Sequence, residues 1–218
     1  SPMENTVYFL PNSDARQSQI YFYIPMGDYN REENVRREAF NQYISGGFSG
    51  LIMNEIREKN SMAYTAYGFA SSRGLPGAQT YFSGYIGTQN DKAVDAIDLY
   101  MKLLTDMPER PGRIDNIKSY LRQSALTDHP DSRNLSLRIA EWKRRGYTDD
   151  PAKEELPLID SLTFPDIVDY YQKNIKGKPI IIGVLGNPKD ISIDALKKFG
   201  KVIRLNEKKL FNEKDTMF

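Results

Sequence analysis

The order of the hydrophobic patterns along this chain constrains its fold more than any single motif does. Runs with strand character come first, helical periodicities fill the middle, and strand signals return near the end. Strands are predicted at residues 6–10, 18–24, 62–67, 78–87, 178–186 and 201–205. Helices are predicted at residues 31–44, 49–57, 91–104, 112–126, 132–145, 163–175 and 191–199.

This order does not alternate strictly between strand and helix, and it therefore favours an α+β layer fold. We expect a mostly antiparallel sheet of about five to six strands, with helices covering one face. The first two strands are joined by a short turn and are expected to be neighbours in the sheet. The apolar run at residues 178–186 is expected to be buried on both faces. We find no linker or repeat, so residues 1–218 are interpreted as one domain.

Composition excludes several classes of partner. The 30 basic residues are balanced by 29 acidic ones, so no basic field points to nucleic acid or to an anionic membrane surface. No apolar run is long enough to span a bilayer. Cysteine is absent, which excludes thiolate metal sites and leaves the cellular compartment open. The tyrosines of two strands are interpreted as interior packing rather than as a base-stacking platform: Tyr21, Tyr23, Tyr81 and Tyr85.

The candidate functional residues lie within residues 45–68. A glycine-rich break ends the upstream helix, Ser49 can cap a short new helix, and a strand starts at residue 62. Arg57 falls in the last turn of the short helix, with Met53 four residues earlier on the same face. Tyr64 lies near the start of the strand, so we expect Arg57 and Tyr64 to converge.

A guanidinium fork and a phenol hydroxyl can donate hydrogen bonds to a peptide carbonyl or to an oxyanion. Neither group is a good nucleophile or base at neutral pH. The pattern by itself leaves open a purely structural alternative, in which Arg57 favours the negative end of the helix dipole and Tyr64 packs in the sheet.

The run Ile-Arg-Glu-Lys-x-x-Met-Ala-Tyr at residues 56–64, preceded by Ser-Gly-Gly-Phe-Ser-Gly at residues 45–50, resembles a known signature. It is similar to the second-half, C-terminal-type domains of the pitrilysin/insulinase family of zinc metallopeptidases, the inverzincins. The resemblance extends from about residue 7 to residue 205 in element order. Ser61-Met62 stands where the family usually has Gly or Gln followed by Leu, which are changes conservative in size or polarity.

The resemblance implies roles for three residues. Arg57 and Tyr64 match the Arg and Tyr that such domains contribute opposite the zinc, where they grip the substrate backbone and help to stabilise the tetrahedral intermediate. Met53 would supply an apolar wall nearby. The resemblance also implies that the chain is a fragment of a longer peptidase, with the catalytic domain in the same polypeptide or in a partner subunit.

The chemistry of a complete zinc peptidase is missing from this chain. A His-x-x-Glu-His helix is needed for the zinc and its water, but the chain has one histidine, His129. His129 is interpreted as an ordinary surface residue, because a catalytic zinc normally has three protein ligands. No phosphate loop, Gly-x-Ser-x-Gly elbow or Cys/His pair is present either. We therefore expect this chain alone to be inactive and to bind no cofactor, with zinc held by the companion catalytic domain.

The resulting hypothesis is a substrate-binding, catalysis-assisting domain of a zinc metalloendopeptidase that hydrolyses peptides in an enclosed chamber. Its expected partners are a His-x-x-Glu-His-bearing domain and a peptide substrate. The alternative is a non-catalytic assembly domain, because the family also resembles core subunits of respiratory complexes. Intact Arg57 and Tyr64 favour the first, since a scaffold has no need of that pair.

Overall fold

The computed structural model describes residues 4–47, 50–58, 61–128 and 132–206. Within them six strands form one mixed sheet in the spatial order β3-β4-β2-β5-β1-β6. The strands are β1 (Thr6–Pro11), β2 (Ser18–Asp28), β3 (Thr65–Ser71), β4 (Gln79–Thr88), β5 (Ile181–Gly186) and β6 (Lys201–Arg204). Strand β2 ends at Asp28, four residues later than predicted, because it continues across a register shift opposite β4.

The sheet confirms the expected α+β class and its mostly antiparallel character, with one correction to the pairing. Strands β2, β3 and β4 pair antiparallel, and β2 also pairs antiparallel with β5. Strand β1 instead pairs in parallel with β5 and with β6. The first two strands are therefore not neighbours. Strand β5 comes from the far end of the chain and lies between them, so the last part of the chain completes the sheet begun by the first.

The helices are assembled in a second layer. Helices α1 and α2 lie against the sheet, α3 and α6 pack on α1, and α5 packs on α3. Their bounds are α1 (Asn34–Ser45), α2 (Ala93–Thr105), α3 (Ile114–Thr127), α4 (Leu135–Arg144), α5 (Pro151–Ser161), α6 (Phe164–Asn174) and α7 (Ile193–Leu196). None of the helices in the described part of the chain is long and apolar enough to cross a membrane.

Helix α5 is not among the predicted elements, although its start carries ordinary helix signals. The Asp150 side chain accepts a hydrogen bond from the Ala152 N–H, and Pro151 occupies the first helical position. Pro157 within the same segment breaks the expected pattern. The helix persists because Ile159 on its inner face is buried among the other helices.

The core fills the space between the sheet and the helices. Alternate residues of strands β1 to β5 point inward and are almost completely buried, as expected for a half-buried sheet. The inward residues of β2, β3, β4 and β5 include Ile20, Phe22, Ile24, Ala66, Ala70, Phe82, Ile86, Ile182 and Val184. Strand β5 follows the same alternation, with its other residues only half-buried. The expectation that β5 is buried on both faces is therefore wrong for this chain, because no helix of the described residues covers its second face.

The opposite face of the sheet is aromatic, which corrects the interpretation of the strand tyrosines as interior packing. Tyr21 is 51% exposed and Tyr81 is 37% exposed, and their rings contact neighbours across the strands. Ring centroids lie 5.1 Å apart for Tyr21 and Tyr85 and 5.4 Å apart for Tyr23 and Tyr81. The period of two that puts small and aliphatic residues inside necessarily puts these rings outside. Cross-strand ring pairs stabilise the sheet from its open side.

The interactions of Asp166 at the start of α6 can be tested through the pH dependence of stability. Thr163 donates to the Asp166 carboxylate through its N–H at 2.8 Å, as in a capping box, and through its hydroxyl at 2.6 Å. Arg36 of α1 donates to the same carboxylate at 2.8 Å. Burial opposes ionisation, but the Thr163 hydrogen bonds and the Arg36 charge outweigh it, so the pKa of Asp166 lies below its usual 3.8.

We therefore expect Asp166→Asn to lower the free energy of unfolding by about 1 kcal/mol at pH 7. A carboxyl whose folded-state pKa is lowered stabilises the fold above its unfolded pKa, and this contribution is lost as the pH falls through the folded pKa. The difference between the two proteins should therefore shrink below about pH 4. Urea denaturation from pH 7 to pH 2 measures it, with Asp169→Asn at an exposed position of α6 as the control. A difference that does not change with pH would contradict the assignment.

Candidate functional site

The residues before the candidate site form a π-helical segment rather than the predicted regular helix. After one turn at Leu51 and Ile52, the segment Met53–Glu58 adopts π-helical hydrogen bonding, and the predicted cap Ser49 lies outside the described residues. Leu51, Ile52 and Ile56 are completely buried and anchor the segment in the core. Arg57 follows Ile56 and is exposed. A wide turn of this kind is frequent at functional sites, because it redirects a side chain.

Met53 is the first residue of the π-helical segment, four residues before Arg57. Met53 is half-buried at the start of the segment, and it does not line the cleft that contains Arg57. The structure therefore does not bring Met53 together with Arg57 and Tyr64.

A tight connection joins the π-helical segment to strand β3. The Ser61 N–H donates to the Arg57 carbonyl at 2.9 Å, and the Met62 N–H donates to the Ile56 carbonyl at 2.9 Å. Ser61 adopts a φ of 51°, a left-handed conformation that costs a residue with a side chain about 1 kcal/mol. Glycine, one of the two residues usual in the family at this position, would adopt it without that cost. The connection fixes the start of β3 relative to Arg57.

Strand β3 begins at Thr65, three residues later than predicted, so Tyr64 precedes it directly. The Tyr64 N–H donates to the Gly87 carbonyl of β4 at 2.9 Å. On its outer edge β3 is held by helix α1: Ser45 accepts from the Gly68 N–H at 2.8 Å, and Asn41 accepts from the Ala70 N–H at 2.7 Å. These side chains satisfy backbone groups that an edge strand would otherwise expose. The backbone of Tyr64 is therefore held by β4, and the strand that follows it is held by both β4 and α1.

Arg57 and Tyr64 line the same cleft, in agreement with the expectation from the sequence that they converge. The cleft has a volume of about 350 Å³ and lies where the connection, the end of β4 and the turn before α2 meet. Its walls are formed by Arg57, Ser61, Met62, Ala63, Tyr64, Thr88, Gln89 and Lys92. The charged side chains of this set are both cationic. Hydrogen-bond donors thus dominate the cleft.

Three of the lining residues were not foreseen from the sequence. The Gln89 amide donates to the Tyr64 hydroxyl oxygen at 3.0 Å, Thr88 donates to the Met62 carbonyl, and the Lys92 ammonium donates to the Ser61 carbonyl at 3.3 Å. The pairing of β3 with β4 was the available signal. Once Thr65 faces Gly87 in an antiparallel hairpin, residues 88–92 must lie beside the residues that precede Thr65.

The residues that line the cleft can bind a ligand and polarise a carbonyl group through hydrogen bonds, but they offer no group suited to proton transfer. Tyr64 is 52% exposed, and because its oxygen accepts from Gln89, its proton is directed elsewhere. Arg57 is an exposed lining residue of the same cleft. In the part of the chain that the structure describes, no group of three His, Asp or Glu side chains is placed to hold a metal ion. His129, the single histidine, lies outside the described residues.

Comparisons with solved structures show a fold shared with peptidase-like domains at low sequence identity. The M16 inactive domain from Pseudomonas fluorescens superposes with a TM-score of 0.70 at 15% identity, covering 84% of this chain and 44% of that one. The periplasmic protease PqqL from Escherichia coli gives 0.65 at 15% identity, covering 85% and 21%. A chain of complex III2 from Candida albicans gives 0.63 at 14% identity, covering 86% and 47%.

This chain therefore spans less than half the length of each of these structures. No curated protein matches its sequence. The family model described as the peptidase M16 inactive domain matches residues 3–112, which include the signature at residues 45–64. This match confirms the resemblance drawn from the signature: the chain belongs to the family of peptidase M16 inactive domains.

Proposed function

We propose that this chain is the substrate-gripping domain of a zinc metallopeptidase whose catalytic domain lies elsewhere in the same polypeptide or in a partner subunit. The observation that carries the proposal is the convergence of Arg57 and Tyr64 on one open cleft. The family match supports it, because the domain is of a type described as inactive. A domain without catalytic machinery that still presents two strong donors is suited to assisting a reaction that occurs next to it.

In the proposed division of labour, the companion domain supplies zinc, which activates a water molecule for attack on a peptide carbonyl. The residues of this chain bind and orient the substrate. The Arg57 guanidinium can donate two parallel hydrogen bonds to the substrate backbone. The Tyr64 hydroxyl can donate its proton toward the carbonyl oxygen, on which negative charge develops during attack. Donors fixed in advance stabilise that charge without having to reorganise.

The role of Tyr64 is tested by Tyr64→Phe in the assembled peptidase, made with the companion domain that bears His-x-x-Glu-His. We expect kcat to fall about tenfold, because one hydrogen bond to a charged group is lost while the ring remains. Tyr120→Phe is the matched control: Tyr120 is 54% exposed against 52% for Tyr64, but it lies on α3, outside the cleft. Equal turnover by the two variants and the wild-type protein would contradict the role.

The second candidate is a structural domain that holds an assembly together without taking part in proteolysis. The observation that favours it is the similarity in fold to a chain of complex III2 from Candida albicans. The two candidates differ in what the cleft variants do. In a structural domain, Tyr64→Phe would leave both the binding of the companion and peptide turnover unchanged. The proposed function instead requires turnover to fall while binding to the companion persists.

A further inference from the structure

We propose that the cleft beside Tyr64 is a carboxylate-binding subsite, in which Lys92 acts together with Arg57 to select peptides that carry a carboxylate. This inference rests on the proposed function for the identity of its ligand, a peptide. It adds a specificity-determining residue, Lys92, from a part of the chain that the 45–64 signature does not include.

The first support is the charge of the lining. Arg57 and Lys92 are both cationic, and the described residues that line the cleft include no acid. The neighbouring carboxylates Asp91 and Asp95 on the same stretch are not part of the lining. A concave site lined by two cations favours an anion.

The second support is a chain of hydrogen bonds that links the Lys92 ammonium to the backbone of Arg57. The Lys92 ammonium donates to the Ser61 carbonyl at 3.3 Å, and the Ser61 N–H donates to the Arg57 carbonyl at 2.9 Å. One residue in a left-handed conformation therefore ties Lys92 to the backbone of Arg57. An ammonium has three donors, so the bond to Ser61 leaves two for a ligand.

The third support is the supply of donors around the cations. The Tyr64 oxygen accepts from Gln89, which directs the phenol proton away from the amide. Lys92 also closes the short helical turn Asn90–Lys92 that leads into α2, and the positive end of the dipole of that 13-residue helix adds to the local potential. A carboxylate has two oxygens, which can accept from cationic and neutral donors of this kind.

A carboxylate on a peptide has two sources, the C-terminus and an acidic side chain. Four labelled peptides of one sequence separate them: an internal Glu or Gln is combined with a free or an amidated C-terminus. Fluorescence anisotropy then measures the Kd of each peptide for the full chain. We expect one carboxylate source to give binding about fivefold tighter than its neutral counterpart, as for a charge-assisted contact at a partly exposed site.

Lys92→Met tests the residue, because methionine keeps much of the aliphatic stem and removes the charge. We expect the preference for the carboxylate to disappear in Lys92→Met and to persist in the control Lys176→Met, an exposed position just beyond the end of α6. The preference should also weaken as the salt concentration is raised, because the site is open to solvent. Equal binding of all four peptides to the wild-type chain would overturn the proposal, and so would a preference that Lys92→Met leaves intact.

The carboxylate preference is measured by peptide binding and the proposed function by peptide turnover, so the two proposals can fail separately. Loss of the carboxylate preference with Tyr64-dependent turnover intact would overturn the subsite alone. A carboxylate preference that depends on Lys92, together with turnover that Tyr64→Phe leaves unchanged, would overturn the proposed function and leave the subsite in place.

Discussion

Replacing Gly84 with alanine is expected to lower the free energy of unfolding by about 3 kcal/mol, the upper end of the usual cost of overpacking a core. A Cβ at Gly84 would lie 2.1 Å from the Tyr100 hydroxyl oxygen and 2.8 Å from its ring Cζ. Tyr100 cannot easily withdraw. Its ring stacks on Phe22 at a centroid distance of 4.0 Å, and its hydroxyl donates to the Tyr67 carbonyl at 2.8 Å.

Urea denaturation measures the effect, and Gly183→Ala is the matched control. Gly183 lies on strand β5, where the nearest atom to an added Cβ is the Tyr21 Cβ at an ordinary 3.8 Å. We expect Gly183→Ala to be neutral or stabilising by about 0.5 kcal/mol. In a Tyr100→Phe background Gly84→Ala should cost less, because the nearest clashing atom is gone. The packing argument fails if Gly84→Ala costs no more than Gly183→Ala.

The contact of Tyr100 with Gly84 illustrates why the helices and strands of this fold can be predicted from the sequence more readily than their arrangement. Tyr100 lies on the buried face of the helix that was predicted at residues 91–104, because a period of 3.6 is visible in the sequence. That two glycines, Gly68 and Gly84, pair opposite each other to admit its hydroxyl is a property of the β3–β4 register. Register depends on contacts between segments that periodicity does not report.

The same distinction explains the errors. Thr163 and Asp166 form a capping arrangement that is local in sequence, and the prediction of the helix start there is confirmed. The insertion of β5 between β1 and β2 is a long-range pairing, and the short turn between the first two strands does not reveal it. The strand tyrosines alternate in either orientation, so their pattern alone cannot say which side the helices cover.

For the candidate site, the pattern of helix and strand signals predicted that Arg57 and Tyr64 converge, and both line one cleft in the structure. Gln89 and Lys92 reach the cleft from the turn that follows β4, which is distant in sequence from residue 57, so no local pattern indicated them. Met53 lies at the start of the π-helical segment Met53–Glu58 and does not line the cleft. The functional role of Met53 stays a prediction from resemblance.

Arg57→Ala is expected to have the largest effect on function, lowering kcat of the assembled peptidase by about 10²–10³-fold. In the proposed function the Arg57 guanidinium binds the substrate backbone and holds the carbonyl in place as charge develops on it. Removing a group that also binds the substrate before the transition state raises KM. We therefore expect KM to rise and kcat/KM to fall by more than kcat. Arg57→Lys keeps the charge but loses the fork, so it should recover only part of the loss.

Two controls separate this role from a structural one. Arg73→Ala removes an exposed cation beyond the opposite end of β3, and it should leave kcat unchanged. Arg57 is itself exposed, whereas its neighbour Ile56 is completely buried and anchors the segment. Arg57→Ala should therefore change the free energy of unfolding by no more than about 0.5 kcal/mol. Full turnover by Arg57→Ala would contradict the proposed function, and a large loss of stability would mean that Arg57 acts through the fold rather than on the substrate.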